Sequence, residues 1–269
     1  FNHTRNSYKF YWWLAILELV IEEKKVQIKF EEIVLRIIVK MWYPVNYFHL
    51  SFGIQDQCTH YITQIKNEFK LPEDISPEKL LSFLIHHKDS PLIVNINSQL
   101  TRFVPYRFIR PWYAAETRGL ADQKVNSRLL ELQDSDAPYI IDPDLQTIQL
   151  EEETKEWIIR NYKILEAHTL FELLKYLEIN NPNVPNIRQK LVRPEKRNLS
   201  RPTRLWRDFI HYHPTKPDVF ERKMLGDISS LSIDHFLPWS FVAHDLLWNL
   251  HPVEKLINIR KSNFLPSTH

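Results

Sequence analysis

Glycine is almost missing from this chain. Only Gly53, Gly119 and Gly226 occur among 269 residues. That excludes a glycine-rich dinucleotide fold and a P-loop, and it argues against a turn-rich β-sandwich. Cysteine is reduced to Cys58, so intrachain disulfides and cysteine-based zinc clusters are excluded, and a reducing compartment fits. No apolar run reaches the ~18 residues of a membrane span. The richest, 10–21, is broken by Glu18 and reads as a buried helix. No secretory leader is visible. The formal net charge is only +2, so any nucleic-acid surface must come from local segregation of charge. The expectation is a cytoplasmic protein without a membrane partner. The chain opens on Phe1 rather than Met and stops at His269, and we expect both ends to be trimmed.

What is present is globular. With 43% hydrophobic, 13% aromatic and 25% charged residues, the chain can fill one large domain or two smaller ones. Residues 7–24 predict a largely buried helix with Ser7 as N-cap. Phe30 to Trp42 has helical apolar spacing, and the Tyr43-Pro44 step is expected to end it. Residues 56–69 read as an amphipathic helix, and Ser76-Pro77-Glu78 as a helix start. Residues 100–111, with two prolines, predict short extended segments. There Arg102, Arg107 and Arg110 alternate with aromatics, which fits either a backbone contact to nucleic acid or arginines lying over an apolar sheet. Residues 119–132 look helical, 139–150 predict two short strands around Asp142-Pro143-Asp144, and 151–179 predict two helices meeting near Asn161.

Composition changes after Asn180-Asn181-Pro182-Asn183-Val184-Pro185, a linker-like run. From 188 to 207 there are eight basic residues, Arg188, Lys190, Arg193, Lys196, Arg197, Arg201, Arg204 and Arg207, against one acid, Glu195. Such a run is ordinarily a solvated face. With Trp206 interleaved, it is also a candidate phosphate-binding surface with steep salt dependence.

The densest chemistry lies near the C-terminal end. Asp234 and His235 are adjacent, Asn249 follows 14 positions after the histidine, and Asn258 comes 9 further on. Cleaving a phosphodiester needs a base for water and a cation beside the phosphate. A histidine, with an ordinary pKa of ~6.5, suits the first role. Asp234 and Asn258 offer two oxygens to one cation, a set that favours Mg²⁺ or Mn²⁺ over Zn²⁺. Residues 229–234 and 248–252 predict antiparallel strands, and 254–262 predicts a helix packed across them by Leu256 and Ile259. That helix would bring Asn258 to the strand end holding Asp234. His244 and His251 read as exposed loop residues, and the His211-x-His213 pair as a helix end.

Segment 231–266, 36 residues long, resembles the HNH, or ββα-metal, nuclease superfamily. It is especially similar to the HNH domains of RNA-guided effector nucleases and of restriction and anti-phage proteins. The shared features are Asp234-His235, Pro238, Ser240-Phe241, Asp245, Asn249, Asn258, Lys261 and Pro266. The resemblance implies that His235 is the general base, that Asn249 braces the loop orienting it, that Asp234 and Asn258 bind metal, and that Lys261 faces the phosphate. It also implies 5′-phosphate ends. Asn258 stands where many members have histidine, which favours Mg²⁺. The paired Cys-x-x-Cys motifs of many members are absent, so no structural zinc is expected, and packing by Trp239, Phe241 and Trp248 would have to replace it.

The fold class expected is α+β: a mainly helical recognition or interaction domain over 1–182, a basic connector over 183–228, and a nuclease module over 229–269. The function expected is metal-dependent hydrolysis of DNA, with RNA not excluded, in restriction or anti-phage defence. Cutting both strands would need a homodimer or a partner subunit. Two alternatives stay open. The chain could be the effector subunit of a larger complex, silent alone, for which the aromatic richness of 1–50 is the motive. It could also be a catalytically dead DNA-binding module.

Overall fold

The structure is a computed structural model that describes residues 6–133, 136–193, 198–214, 217–220, 225 and 231–265. The chain divides into two compact units, Phe1–Pro182 and Asn183–His269. The described part is mostly helical, with two small antiparallel sheets.

The first unit is built around helix α1 (Tyr8–Glu23), which packs against α2 (Phe30–Trp42) and the long α8 (Glu152–Asn180). Apolar residues occupy nearly every position of α1, and Phe10 to Leu17 are all buried. A helix apolar all round has to be surrounded. The aromatics of 1–50 are therefore this unit's core: Phe10, Tyr11, Trp12, Trp13, Trp42, Tyr43 and Phe48 are all buried, which removes them as a motive for a partner surface. The indole of Trp12 donates to the Tyr139 hydroxyl (2.9 Å), which donates to the Pro105 carbonyl (2.8 Å). Ser7 precedes α1 without capping it; its hydroxyl and N–H both donate to the buried Asp56 carboxylate.

Between α2 and α8 come α3 (Cys58–Phe69), α4 (Pro77–His86), α5 (Pro91–Thr101), α6 (Val104–Ile109) and α7 (Asp122–Leu132). Strand β1 (Gln27–Lys29) pairs with β3 (Thr147–Gln149), which also pairs with β2 (Ile140–Asp142), giving the order β1-β3-β2. Asp142 turns the β2–β3 hairpin by accepting the N–H groups of Asp144 and Leu145.

Four local expectations change here. Pro44 does not end the helical path, because a π-helical turn, Tyr43–Tyr47, carries α2 on. Residues 100–111 are helical rather than extended: Pro105 lies in the first turn of α6, and Pro111 in that of the 3₁₀ turn Arg110–Tyr113. A first helical turn has no intrahelical partner for the N–H that proline lacks. The two helices expected over 151–179 are one, since Asn161 donates its side-chain amide to the Trp157 carbonyl and the helix runs through. The short β1 was not foreseen; three residues, with Ile28 buried between exposed neighbours, are too few for a pattern.

The second unit contains a 3₁₀ turn (Ile187–Lys190), α9 (Ser200–Tyr212), β4 (Leu231–His235), α10 (Trp239–Val242), a 3₁₀ turn (Leu247–Asn249), β5 (Leu250–Glu254) and α11 (Lys255–Lys261). β4 and β5 are antiparallel, with Asp234 opposite His251 and His235 opposite Leu250. The apolar core is small: Ile187, Ile210, Val242, Ala243, Leu250 and Val253. Phe241 and Trp248 are exposed rather than filling it, and Trp239 is half-buried.

Candidate active site

Asp234 and His235 end strand β4, and both are buried. The backbone leaving them is held by one side chain. Asn249, with no exposed surface, accepts the Leu237 N–H at 2.7 Å and donates to the Leu237 carbonyl at 2.9 Å, while the Phe236 N–H donates to the Asn249 carbonyl. One amide thus satisfies both polar groups of a loop residue that has no strand partner.

The His235 ring is oriented by Asp245, with 2.8 Å between Nε2 and Oδ1. With hydrogen on Nε2, the ring donates to this carboxylate. Asp245 belongs to the quoted motif, but its contact with the base was not foreseen, because ten residues and a helical turn separate the two.

Helix α11 covers the strand pair through polar contacts. Asn258 donates to the Ser232 hydroxyl at 3.0 Å. Lys261, one turn on, donates to the His235 carbonyl at 2.6 Å and lies 3.0 Å from Asp234 Oδ2. Leu256 and Ile259, expected to dock this helix, are 65% and 73% exposed. At 3.6 residues per turn, the face that carries Asn258 and Lys261 inward turns those two outward. Lys261 faces the carboxylate and the backbone of the expected base rather than open solvent.

Sequence proximity did not reveal three further neighbours. His251, read as a loop residue, sits in β5 directly opposite Asp234. Burial lowers its pKa, partly offset by a backbone hydrogen bond at Trp248 and by Asp234. The Phe220 ring stacks on Phe236 with centroids 5.8 Å apart, and the Lys261 ammonium lies 5.7 Å from the Phe220 centroid. Trp206 of α9 fixes β5 by donating its indole N–H to the Leu250 carbonyl at 2.9 Å.

The donor chemistry fits a hard divalent cation. Asp234 Oδ2 is buried with the Lys261 ammonium 3.0 Å away, and Asn258 Oδ1 has no donor among the described residues. One carboxylate and one amide oxygen leave room for the waters and phosphate oxygen that Mg²⁺ prefers to keep. Among the described residues, no group of three or more His, Cys, Asp and Glu side chains is placed to hold a metal.

The basic run separates into different roles. Arg188, Arg193, Arg201, Arg204 and Arg207 are exposed, the last three within one arc of α9. Lys196 and Arg197 lie outside the described residues. Lys190 does not belong with them: it is fully buried, and its ammonium donates to the carbonyls of Pro185 (2.7 Å) and Phe241. Burial lowers its pKa to about 8. It ties the connector to the motif loop and has no surface to offer a phosphate. Lys190→Ala is expected to destabilise the second unit by about 2–3 kcal/mol, because two carbonyls lose the buried ammonium that they share. The salt dependence of DNA binding should stay as it is. Thermal unfolding and binding titrations check both, and a shallower salt slope would return Lys190 to the phosphate contacts.

Residues 218–267 match the family model for HNH endonuclease. No curated protein and no solved structure matches the chain. The segment that carries the Asp234-His235 strand, its return strand and α11 is a member of the HNH superfamily, and nuclease activity on nucleic acid is what that family supplies. No described helix is long and apolar enough to cross a membrane.

Proposed function

We propose that the chain is an endonuclease that hydrolyses DNA phosphodiesters with a divalent cation, Mg²⁺ or Mn²⁺, held by Asp234 and Asn258. The observation that carries this reading is the strand end at Asp234-His235. A buried carboxylate, with the Lys261 ammonium 3.0 Å from its Oδ2, adjoins a histidine whose Nε2 lies 2.8 Å from a second carboxylate. His235 takes the proton of the attacking water, and Asp245, 2.8 Å from its Nε2, orients the ring and stabilises the imidazolium that forms. Asn249 holds the backbone behind the base. A divalent cation at this position supplies positive charge to the scissile phosphate and the departing 3′ oxygen. Lys261 adds a fixed positive charge beside Asp234.

The exposed arginines of α9, with Arg188 and Arg193, are the proposed contacts to the nucleic-acid backbone, giving affinity without sequence choice. Cutting both strands calls for two copies or a second nuclease. The resemblance to restriction and anti-phage HNH proteins points to defence as the biological setting, with the first unit carrying recognition.

Nicking of supercoiled plasmid by the intact chain tests the reading. Nicking is expected with Mg²⁺ and not in chelator, and single-stranded RNA run in parallel distinguishes the substrate. No cutting of DNA under any divalent metal would reject the assignment in favour of a DNA-binding module.

A further inference from the structure

The first unit carries two cavities that share one lysine. The first, of ≈ 690 Å³, is lined by Lys9, Arg107, Arg110 and Asp122 together with uncharged neighbours. The second, of ≈ 400 Å³, is lined by Lys9 and by Trp13, Phe108, Trp112 and Trp157, with few polar groups. Both volumes lie in the range of small-ligand sites.

Charge in the first cavity is unbalanced, with three cations facing one carboxylate. Asp122 contacts Arg107 at 3.0 Å and Arg110 at 3.9 Å, yet its side chain is 75% exposed, so water screens what it supplies. Lys9 has no anionic partner among the described residues. Burial, and then the charges of Arg107 and Arg110, hold its ammonium below the usual lysine range. A half-buried cation facing two others lacks an anion.

The second cavity has the complementary character. The rings of Trp13 and Phe108 stack at 5.2 Å, and Trp112 continues the aromatic surface with its ring 6.2 Å from Phe108. Trp112 and Trp157 on its wall are 48% and 52% exposed, large apolar rings that the unit leaves half uncovered. A flat π-system is what such a wall binds best. Several cations beside it match a phosphate better than a single carboxylate.

We propose that these two cavities, which share Lys9, form a nucleotide-binding site, the aromatic cavity taking the base and Lys9, Arg107 and Arg110 taking the phosphate. With only three glycines in the chain there is no backbone cradle for phosphates, so side chains supply the positive charge. The nucleotide is either free or one unit of a single strand threaded past the unit. The site lies wholly within the first unit and does not depend on the nuclease reading.

Calorimetry on the intact chain decides it, with ATP, adenosine, inorganic tripolyphosphate, decanoate and an eight-residue oligothymidylate as probes. The proposal expects ATP or the oligonucleotide to bind, and adenosine and tripolyphosphate each to bind at least tenfold more weakly. Whichever of the two binds more tightly identifies the source. Lys9→Met and Trp112→Ala should each weaken that binding at least tenfold with the melting transition unchanged; Trp157→Ala stands in if Trp112→Ala unfolds. Binding that these variants leave intact belongs to another surface and overturns the proposal. So does tripolyphosphate or decanoate binding as tightly as ATP, or no binding by any probe.

Discussion

His235→Ala is expected to lower plasmid nicking by about 10²–10⁴-fold, the span that a positioned general base contributes. The expectation rests on geometry. His235 is the imidazole ending β4 beside Asp234, and its Nε2 lies 2.8 Å from Asp245 Oδ1, which fixes the orientation of the ring. His251 lies on the neighbouring strand opposite Asp234, half-buried, with its pKa lowered by burial. DNA binding should survive the change, because the exposed arginines of α9 are untouched. A variant that binds DNA and nicks at the parental rate would remove His235 from the chemistry.

Asn249→Ala should cost nearly as much for a different reason. Asn249 is fully buried and satisfies both the N–H and the carbonyl of Leu237. Alanine leaves the Leu237 N–H and carbonyl without their partner, and a loss of this kind costs about 1–3 kcal/mol where water does not replace it. The second unit has a small core, so a loss of about 2–4 kcal/mol would be a large part of its stability. The loop after His235 loses its anchor at the same time, so activity should fall even where the unit stays folded. Denaturant unfolding followed through the second unit's tryptophans reads the first effect, and nicking below the transition reads the second. Unchanged stability would mean that water replaces the amide and that the brace is dispensable.

The centre of the site was legible in the sequence because its parts are close along the chain and their spacing is constrained. A strand end, a short return strand and one turn of helix fix where Asp234, Asn249, Asn258 and Lys261 can lie. Where contacts cross larger separations, legibility ended. Lys190 looked like one more charge in a basic run, and only the fold reveals the Phe241 carbonyl, 51 residues away, receiving its ammonium. Leu256 and Ile259 looked like the docking face of α11 because they are apolar, whereas hydrogen bonds from Asn258 and Lys261 set that helix's rotation. Residues 100–111 misled because proline reads as a breaker, although it is well tolerated in a first helical turn. The aromatics of 1–50 read as surplus because the pattern cannot show that α8, more than a hundred residues on, closes over α1.

The proposed holding of one cation by Asp234 and Asn258 is tested by nicking as a function of Mg²⁺ concentration for the intact chain and for Asn258→Ala. Losing one oxygen ligand should move half-activation to at least about tenfold higher Mg²⁺, with cutting restored in part at saturation. Coincident activation curves, or full nicking by the intact chain in chelator, would contradict it.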